Sequence, residues 1–264
     1  MLLAIPFPQI DPVLVSLGPF AVRWYALAYI AGLVIGWRLM RRMGAAPDYG
    51  VDAEHVDDFL VCATLGVILG GRIGYVLFYN LPVYLDQPLH VFYVWQGGMS
   101  FHGGFAGVVL AGLLYCRRRG IQPLVLGDLC ARVAPVGLFF GRIANFINGE
   151  LFGRVTDVPW GMVFPRGGPE PRHPSQLYEA ALEGVVLFIV ISLLARVPAV
   201  RTKRGFLTGV FVAGYAMSRM LVELVRQPDA QLGFLSLGST MGQWLSVPML
   251  LIGFYMMIRA RPAK

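Results

Sequence analysis

Gly141-Arg142-Ile143-Ala144-Asn145-Phe146-Ile147-Asn148-Gly149-Glu150-Leu151-Phe152-Gly153 closes an apolar run that starts at Ala134 and opens into a turn of glycine, asparagine and glutamate. The run reads as the end of a membrane-length helix. Arg142 and Asn145, three residues apart, share one face of it. An arginine in such a run is costly unless it faces a polar cavity or a partner, which makes it a site candidate. Taken alone, it reads equally as an arginine snorkelling from a helix end to lipid headgroups. The other polar residues of the chain discriminate between the two.

Working outward, 56% of the residues are hydrophobic and 14% charged, against about a quarter charged in soluble domains. The mean hydropathy is +0.63. Apolar residues gather in runs of about 20, the length that spans a bilayer. The expected fold is all-α: a polytopic integral membrane protein, one transmembrane domain over residues 1–264, in contact with the lipid bilayer. Cys62, Cys116 and Cys130 lie in or beside apolar runs without metal-ligand spacing and give no reason to propose disulfides. Met1 to Gly18 has neither a basic start nor a small-residue cleavage pattern, so no removable signal peptide is expected.

Seven helices are predicted, at about residues 20–39, 56–79, 102–115, 124–147, 175–195, 205–226 and 241–258, with a long loop at about 148–174. The third is short enough for part of its start to be re-entrant. The loops after the odd-numbered helices hold almost all loop Lys and Arg, among them Arg41, Arg42, Arg117 to Arg119, Arg196, Arg201, Lys203, Arg204, Arg259 and Arg261. The opposite side holds Arg154, Arg166 and Arg172. Positive residues mark the cytoplasmic face, so the N-terminus is expected outside, the C-terminus in the cytoplasm, and the long loop external. The net charge of +7 is thus orientation chemistry, and nucleic acid is not an expected partner. No internal repeat supports a transporter built from paired halves.

This topology collects polar groups at one depth, in the outer half. They are Arg23 and Tyr25, Arg72 and Tyr75, His102, Arg142 and Asn145, Glu179 and Glu183, and the every-fourth-residue series Tyr215, Arg219, Glu223. In the inner half, Asp57, Asp58 and Asp128 lie at helix starts, where the helix dipole favours acids. Singly, each outer residue has a plain structural reading: an interfacial histidine, an Arg219–Glu223 ion pair, glycines that permit close helix packing. Their shared depth instead suits an anion in the outer leaflet, and a phospholipid phosphate is one that arginine engages bidentately.

The chain resembles the prolipoprotein diacylglyceryl transferases. The resemblance rests on Arg23-Trp24-Tyr25, Gly71-Arg72-Ile73-Gly74-Tyr75, Ser100-Phe101-His102-Gly103-Gly104, Gly141-Arg142 through Asn148-Gly149-Glu150, Arg172-His173-Pro174-Ser175-Gln176-Leu177-Tyr178-Glu179, Arg219-Met220-Leu221-Val222-Glu223 and Arg226-Gln227-Pro228-Asp229. Ala144 stands where the family carries glycine, and Met220 and Leu224 where it carries aromatics. The resemblance implies a bacterial inner-membrane enzyme of lipoprotein maturation without a cofactor or metal. Its reaction would move the sn-1,2-diacylglyceryl group of phosphatidylglycerol to the lipobox cysteine thiol of a preprolipoprotein. It also implies that Arg142 holds the lipid phosphate, that Asn145, Glu150 and Gly153 shape the headgroup pocket, and that His102, Arg219, Glu223, Tyr215 and Tyr25 lie at or near the reacting centre.

The residue types suit that chemistry. A thiol of pKa about 8.5 must lose its proton to attack carbon. His102 could take it, or could instead donate a hydrogen bond to a headgroup oxygen. Arg142 and Arg219 could stabilise the departing phosphate. A serine protease is disfavoured, because Ser100 and His102 sit on one short segment and no Gly-x-Ser-x-Gly elbow exists. An anion channel would need polar groups through the whole depth, and the inner half is nearly bare. A non-catalytic lipid-binding protein is separated from an enzyme only by turnover.

Overall fold

The computed structural model describes residues 5–18, 20–47, 49–228, 233–235 and 238–262. It is mostly helical. In chain order the strands are β1 (Ile5–Pro6), β2 (Val13–Leu17), β3 (Phe20–Arg23) and β4 (Met162–Val163). The helices are α1 (Trp24–Gly44), α2 (Ala53–Tyr79), α3 (Leu81–Asp86), α4 (Phe101–Arg119), α5 (Pro123–Ile147), α6 (Ser175–Glu179), α7 (Leu187–Leu194), α8 (Pro198–Arg201), α9 (Phe206–Glu223) and α10 (Met241–Arg259). Among the described residues, five helical stretches are long and apolar enough to cross a membrane: α2, α5, Ser175–Leu194, α9 and α10. α1 and α4 are of similar length and end in arginines.

Two segments differ from the sequence reading. The first helix starts at Trp24 because Phe20–Arg23 pairs antiparallel with Val13–Leu17, and the Trp24 N–H donates to the Pro12 carbonyl at 3.1 Å. The third helix is longer than its apolar run. Ser100 caps its start by accepting from the Gly103 N–H at 3.2 Å, and Gly120, at φ 68°, closes its end.

The chain divides into two compact units, residues 41–127 and residues 1–40 with 128–264. In the first, α2 and α4 pack along small residues. Gly66, Gly70 and Gly74 recur every four positions and meet the backbone of Gly103 and Gly107 and the methyl of Ala111. A Cβ on Gly74 would lie 2.8 Å from the Gly103 Cα, so only glycine allows this approach. Asp52 caps α2 by accepting from the His55 N–H at 2.9 Å, which holds its carboxyl below the usual carboxylate range. Asp57 and Asp58 pair with Arg41 and Arg119.

In the second unit α1 meets α5 at Gly32 and Gly137, and α9 meets α10 at Gly209, Ala213 and Gly253. Asp128, read as an acid favoured by its own helix, instead caps another. It accepts from the Gly205 N–H (2.7 Å), the Thr208 N–H (2.8 Å) and the Thr208 hydroxyl (2.7 Å) at the start of α9. Between α6 and α7 the chain passes through a π-helix, Ala180–Val186. Every fourth residue drifts by about 40° around a regular α-helix. The wider π turn offsets the drift, so Glu179, Glu183, Leu187, Ile191 and Ala195 form one buried stripe. Its lower part packs with Leu207 and Val210 in an apolar core; its upper part is two glutamates.

Candidate active site

The two glutamates define the site. Glu179 and Glu183 are fully buried, and Glu223 nearly so. The Arg219 Nη1 donates to Glu179 Oε1 at 2.5 Å, and the Arg226 Nη1 donates to the same oxygen at 2.7 Å. The Arg142 Nε lies 3.2 Å from Glu179 Oε2, and its Nη2 donates to Glu183 Oε2 at 3.2 Å. The Arg219 Nη2 completes the set at 2.5 Å from Glu223 Oε1. Three arginines thus interlock with three glutamates, from α5, the π-helical segment with its flank, and α9 with the turn after it.

Formal charge cancels within this network, yet removing so many ions from water costs several kcal/mol each, and such sets are seldom retained for stability alone. Exposure indicates where it can act. The side chains of Arg142 and Arg219 keep 16% and 17% of their surface exposed, whereas Glu179 and Glu183 keep none. Glu183 Oε1 and Glu179 Oε2 accept no hydrogen bond from the described residues. The reachable face is therefore cationic, and the glutamates behind it fix the guanidinium planes.

The turn read first from the sequence folds onto the same unit. Glu150 Oε1 accepts from the Asn145 amide at 2.9 Å and the Asn148 amide at 3.2 Å, and the Gln176 amide donates to the Glu150 carbonyl at 2.6 Å. Phe7, Phe146, Phe152 and Phe164 pack beneath this turn. Gly153 is a point of close approach: its N–H donates to the His173 carbonyl at 2.8 Å, and a Cβ there would stand 2.6 Å from the Val225 carbonyl oxygen. Arg154 donates to the carbonyls of Glu223 (3.0 Å) and Arg226 (2.9 Å), tying the long loop to the end of α9. Burial of His173 in this loop holds its imidazole below the usual histidine range, against the pull of Asp157.

Tyr215, one turn before Arg219, packs on the Leu187–Ile191 core and lies within electrostatic reach of Glu183, Arg142, Arg219 and Glu179. Tyr25 is within reach of Glu150 and Arg142, and its hydroxyl lies 3.1 Å from that of Tyr29. His102 belongs to the other unit. It is exposed on the first turn of α4, with its ring edge-on to Phe101. Arg72, grouped by sequence with the outer arginines, has a different role: it is buried and donates to the carbonyls of His90, Val91, Gly97 and Gly98, clamping the loop before α4.

The sequence placed Glu179 and Glu183 in the outer polar cluster without an individual role, and gave none to Arg226 or Thr240. Glu179 and Glu183 did carry a signal, being two acids four residues apart in an apolar run. Among the described residues no group of His, Cys, Asp and Glu could hold a metal ion.

Apolar helices of membrane length, together with a buried arginine–glutamate network, define a polytopic membrane protein with a polar site. The sequence model of the prolipoprotein diacylglyceryl transferases matches residues 12–259. The chain is 59% identical over 262 residues to the phosphatidylglycerol–prolipoprotein diacylglyceryl transferase of Azospirillum brasilense, covering 98% of each chain. It is 60% identical over 267 residues to the protein of the same name from Rhodospirillum rubrum, covering all of this chain and 97% of that one. The chain belongs to the prolipoprotein diacylglyceryl transferase family.

Proposed function

We propose that this chain transfers the sn-1,2-diacylglyceryl group of phosphatidylglycerol to the thiol of a preprolipoprotein lipobox cysteine. The observation that carries the proposal is the cationic face of Arg142 and Arg219, backed by buried glutamates in a member of this family. Arg142 engages the glutamates through Nε and Nη2, and Arg219 through its two Nη atoms, so Nη1 of Arg142 and Nε of Arg219 lie outside these pairs. These donors suit a phosphate, and their preorganisation in a water-poor site strengthens them where charge develops.

The thiol gives up its proton, the thiolate sulfur bonds to the glyceryl carbon that carries the phosphate ester, and the carbon–oxygen bond breaks. Its electron pair leaves with glycerol phosphate, and the product is a thioether. Arg142 holds the phosphate, with Asn145, Glu150, Gly153 and Tyr25 shaping the headgroup side. Arg219, held by Glu223 and Glu179, stabilises the leaving oxygen beside Tyr215, and His102 takes the thiol proton. Seven spanning helices, counting α1 and α4, put the N-terminus outside and the C-terminus in the cytoplasm of the inner membrane, with the site toward the outer leaflet. The Lys/Arg asymmetry of the loops supports that orientation.

Mass spectrometry of a lipobox peptide incubated with purified protein and phosphatidylglycerol tests the activity. The peptide should gain one diacylglyceryl group on its cysteine with equimolar release of glycerol phosphate; an unmodified peptide with tightly bound lipid would make the protein a lipid binder. A C-terminal reporter active only outside the cytoplasm would overturn the orientation.

A further inference from the structure

Glu223 is held from a second side, by a helix that the proposed reaction does not otherwise use. The Thr240 hydroxyl donates to Glu223 Oε2 at 2.7 Å, and both residues are 3% exposed. Oε1 is thereby left to Arg219 Nη2 at 2.5 Å. Two residues on, Gly242 packs its Cα against the same carboxylate, so that a Cβ would stand 2.7 Å from Glu223 Cδ and nearer still to Oε1. Thr240 also caps α10, in a box in which its Oγ1 accepts from the Gln243 N–H and its own N–H donates to Gln243 Oε1 at 3.1 Å. Glu223, Thr240 and Gly242 line a small cleft with Arg219, Arg226 and Gln227.

A capping threonine needs no buried carboxylate, and a capped helix needs no glycine at its second position. Together they describe a seat for one carboxylate. We propose that Thr240 and Gly242 are positioning residues, which fix the Glu223 carboxylate and through it orient the Arg219 guanidinium for the transfer step. This rests on the site reading above. A hydroxyl that donates to a charged carboxylate restricts its rotation, and a hydrogen bond to a charged group accounts for about tenfold or more in a rate that depends on that alignment.

The test is the turnover of phosphatidylglycerol and lipobox peptide by full-length variants, per folded enzyme, with KM for the lipid and Tm measured alongside. Thr240→Val is expected to lower kcat about tenfold or more with little change in KM. Thr240→Ser, which keeps the hydroxyl and the cap, should stay within about twofold of wild type. Gln243→Ala weakens the capping box without touching Glu223, so it should lower Tm and spare kcat. Gly242→Ala should lower kcat by displacing the carboxylate.

Wild-type kcat in folded Thr240→Val and Gly242→Ala beside an inactive Glu223→Gln would overturn the positioning role alone. A kcat loss in Gln243→Ala equal to that in Thr240→Val would also overturn it, by reducing Thr240 to a cap. Should Thr240→Val fail to fold, Gly242→Ala and Gln243→Ala decide by the same criteria. Full turnover by Glu223→Gln would remove Glu223 from the reaction, and with it both the site reading and this inference.

Discussion

Arg72 and Arg219 are arginines of similar sequence setting, each in an apolar helix beside small residues, and they are satisfied in opposite ways. Arg72 on α2 faces neutral backbone carbonyls of the loop before α4, and its charge ties that segment down. Arg219 on α9 faces Glu179 and Glu223, with part of its surface exposed. Carbonyl dipoles hold an arginine closed. Carboxylates hold it aligned while the other side of the guanidinium stays available to an anion. The buried arginine that serves folding and the one proposed to serve chemistry therefore differ in what lies behind them, more than in depth.

The largest effect is expected where that alignment is lost. Arg219→Gln should lower turnover by about 10³-fold, the scale for deleting a preorganised donor to developing charge. The variant should stay folded, because Glu179 keeps Arg226 and Glu223 keeps Thr240. Normal turnover per folded molecule with a lowered Tm would make the network structural, as Arg72 is.

His102→Gln comes next, with an expected loss of about 10²-fold at neutral pH if the imidazole is the base. Raising the pH toward about 8.5 should then recover part of the rate, since the thiolate forms unaided. The same loss factor at every pH would instead assign His102 to holding lipid. Arg142→Lys keeps a charge but loses the planar fork, and more than about tenfold should disappear even at saturating lipid. Near-normal turnover there would leave Arg142 a packing residue.

The smallest effect on chemistry is expected in the glycine seam. Gly107→Ala forces a Cβ against the Gly66 carbonyl and should cost about 1–3 kcal/mol of stability. Turnover of the folded fraction should remain within about twofold of wild type. A large kcat loss at unchanged Tm would mean that the α2–α4 contact takes part in the reaction.

Most of the helical frame was legible because each long helix is an apolar run closed by arginines, prolines or, after α5, an Asn-Gly turn, and the Arg219–Glu223 pairing followed from a spacing of four. The β2–β3 hairpin was not, since Phe20-Ala21-Val22 leads through the single Arg23 into the apolar run from Trp24 and reads as part of the same helix. Nor was the role of Arg72, whose partners are carbonyls, which leave no trace in side-chain identity. Asp128 misled because an acid near a helix start suits that helix, while the N–H groups it serves lie 77 and 80 residues downstream. Glu179 stayed unassigned because its partners Arg142, Arg219 and Arg226 come from distant positions, and the π turn that brings Glu183 into line has no sequence signature here.

The most direct test of the contrast measures Tm and thioether formation side by side in Arg72→Gln and Arg219→Gln. Arg72→Gln should lower Tm by several degrees, about 1.5–3 kcal/mol for lost charge-assisted hydrogen bonds, while its folded fraction still turns over. Arg219→Gln should stay folded and lose about 10³-fold in thioether formation per folded molecule, whatever its change in Tm. If turnover follows Tm equally in both variants, the two arginines do the same work, and the charged network is only part of the scaffold.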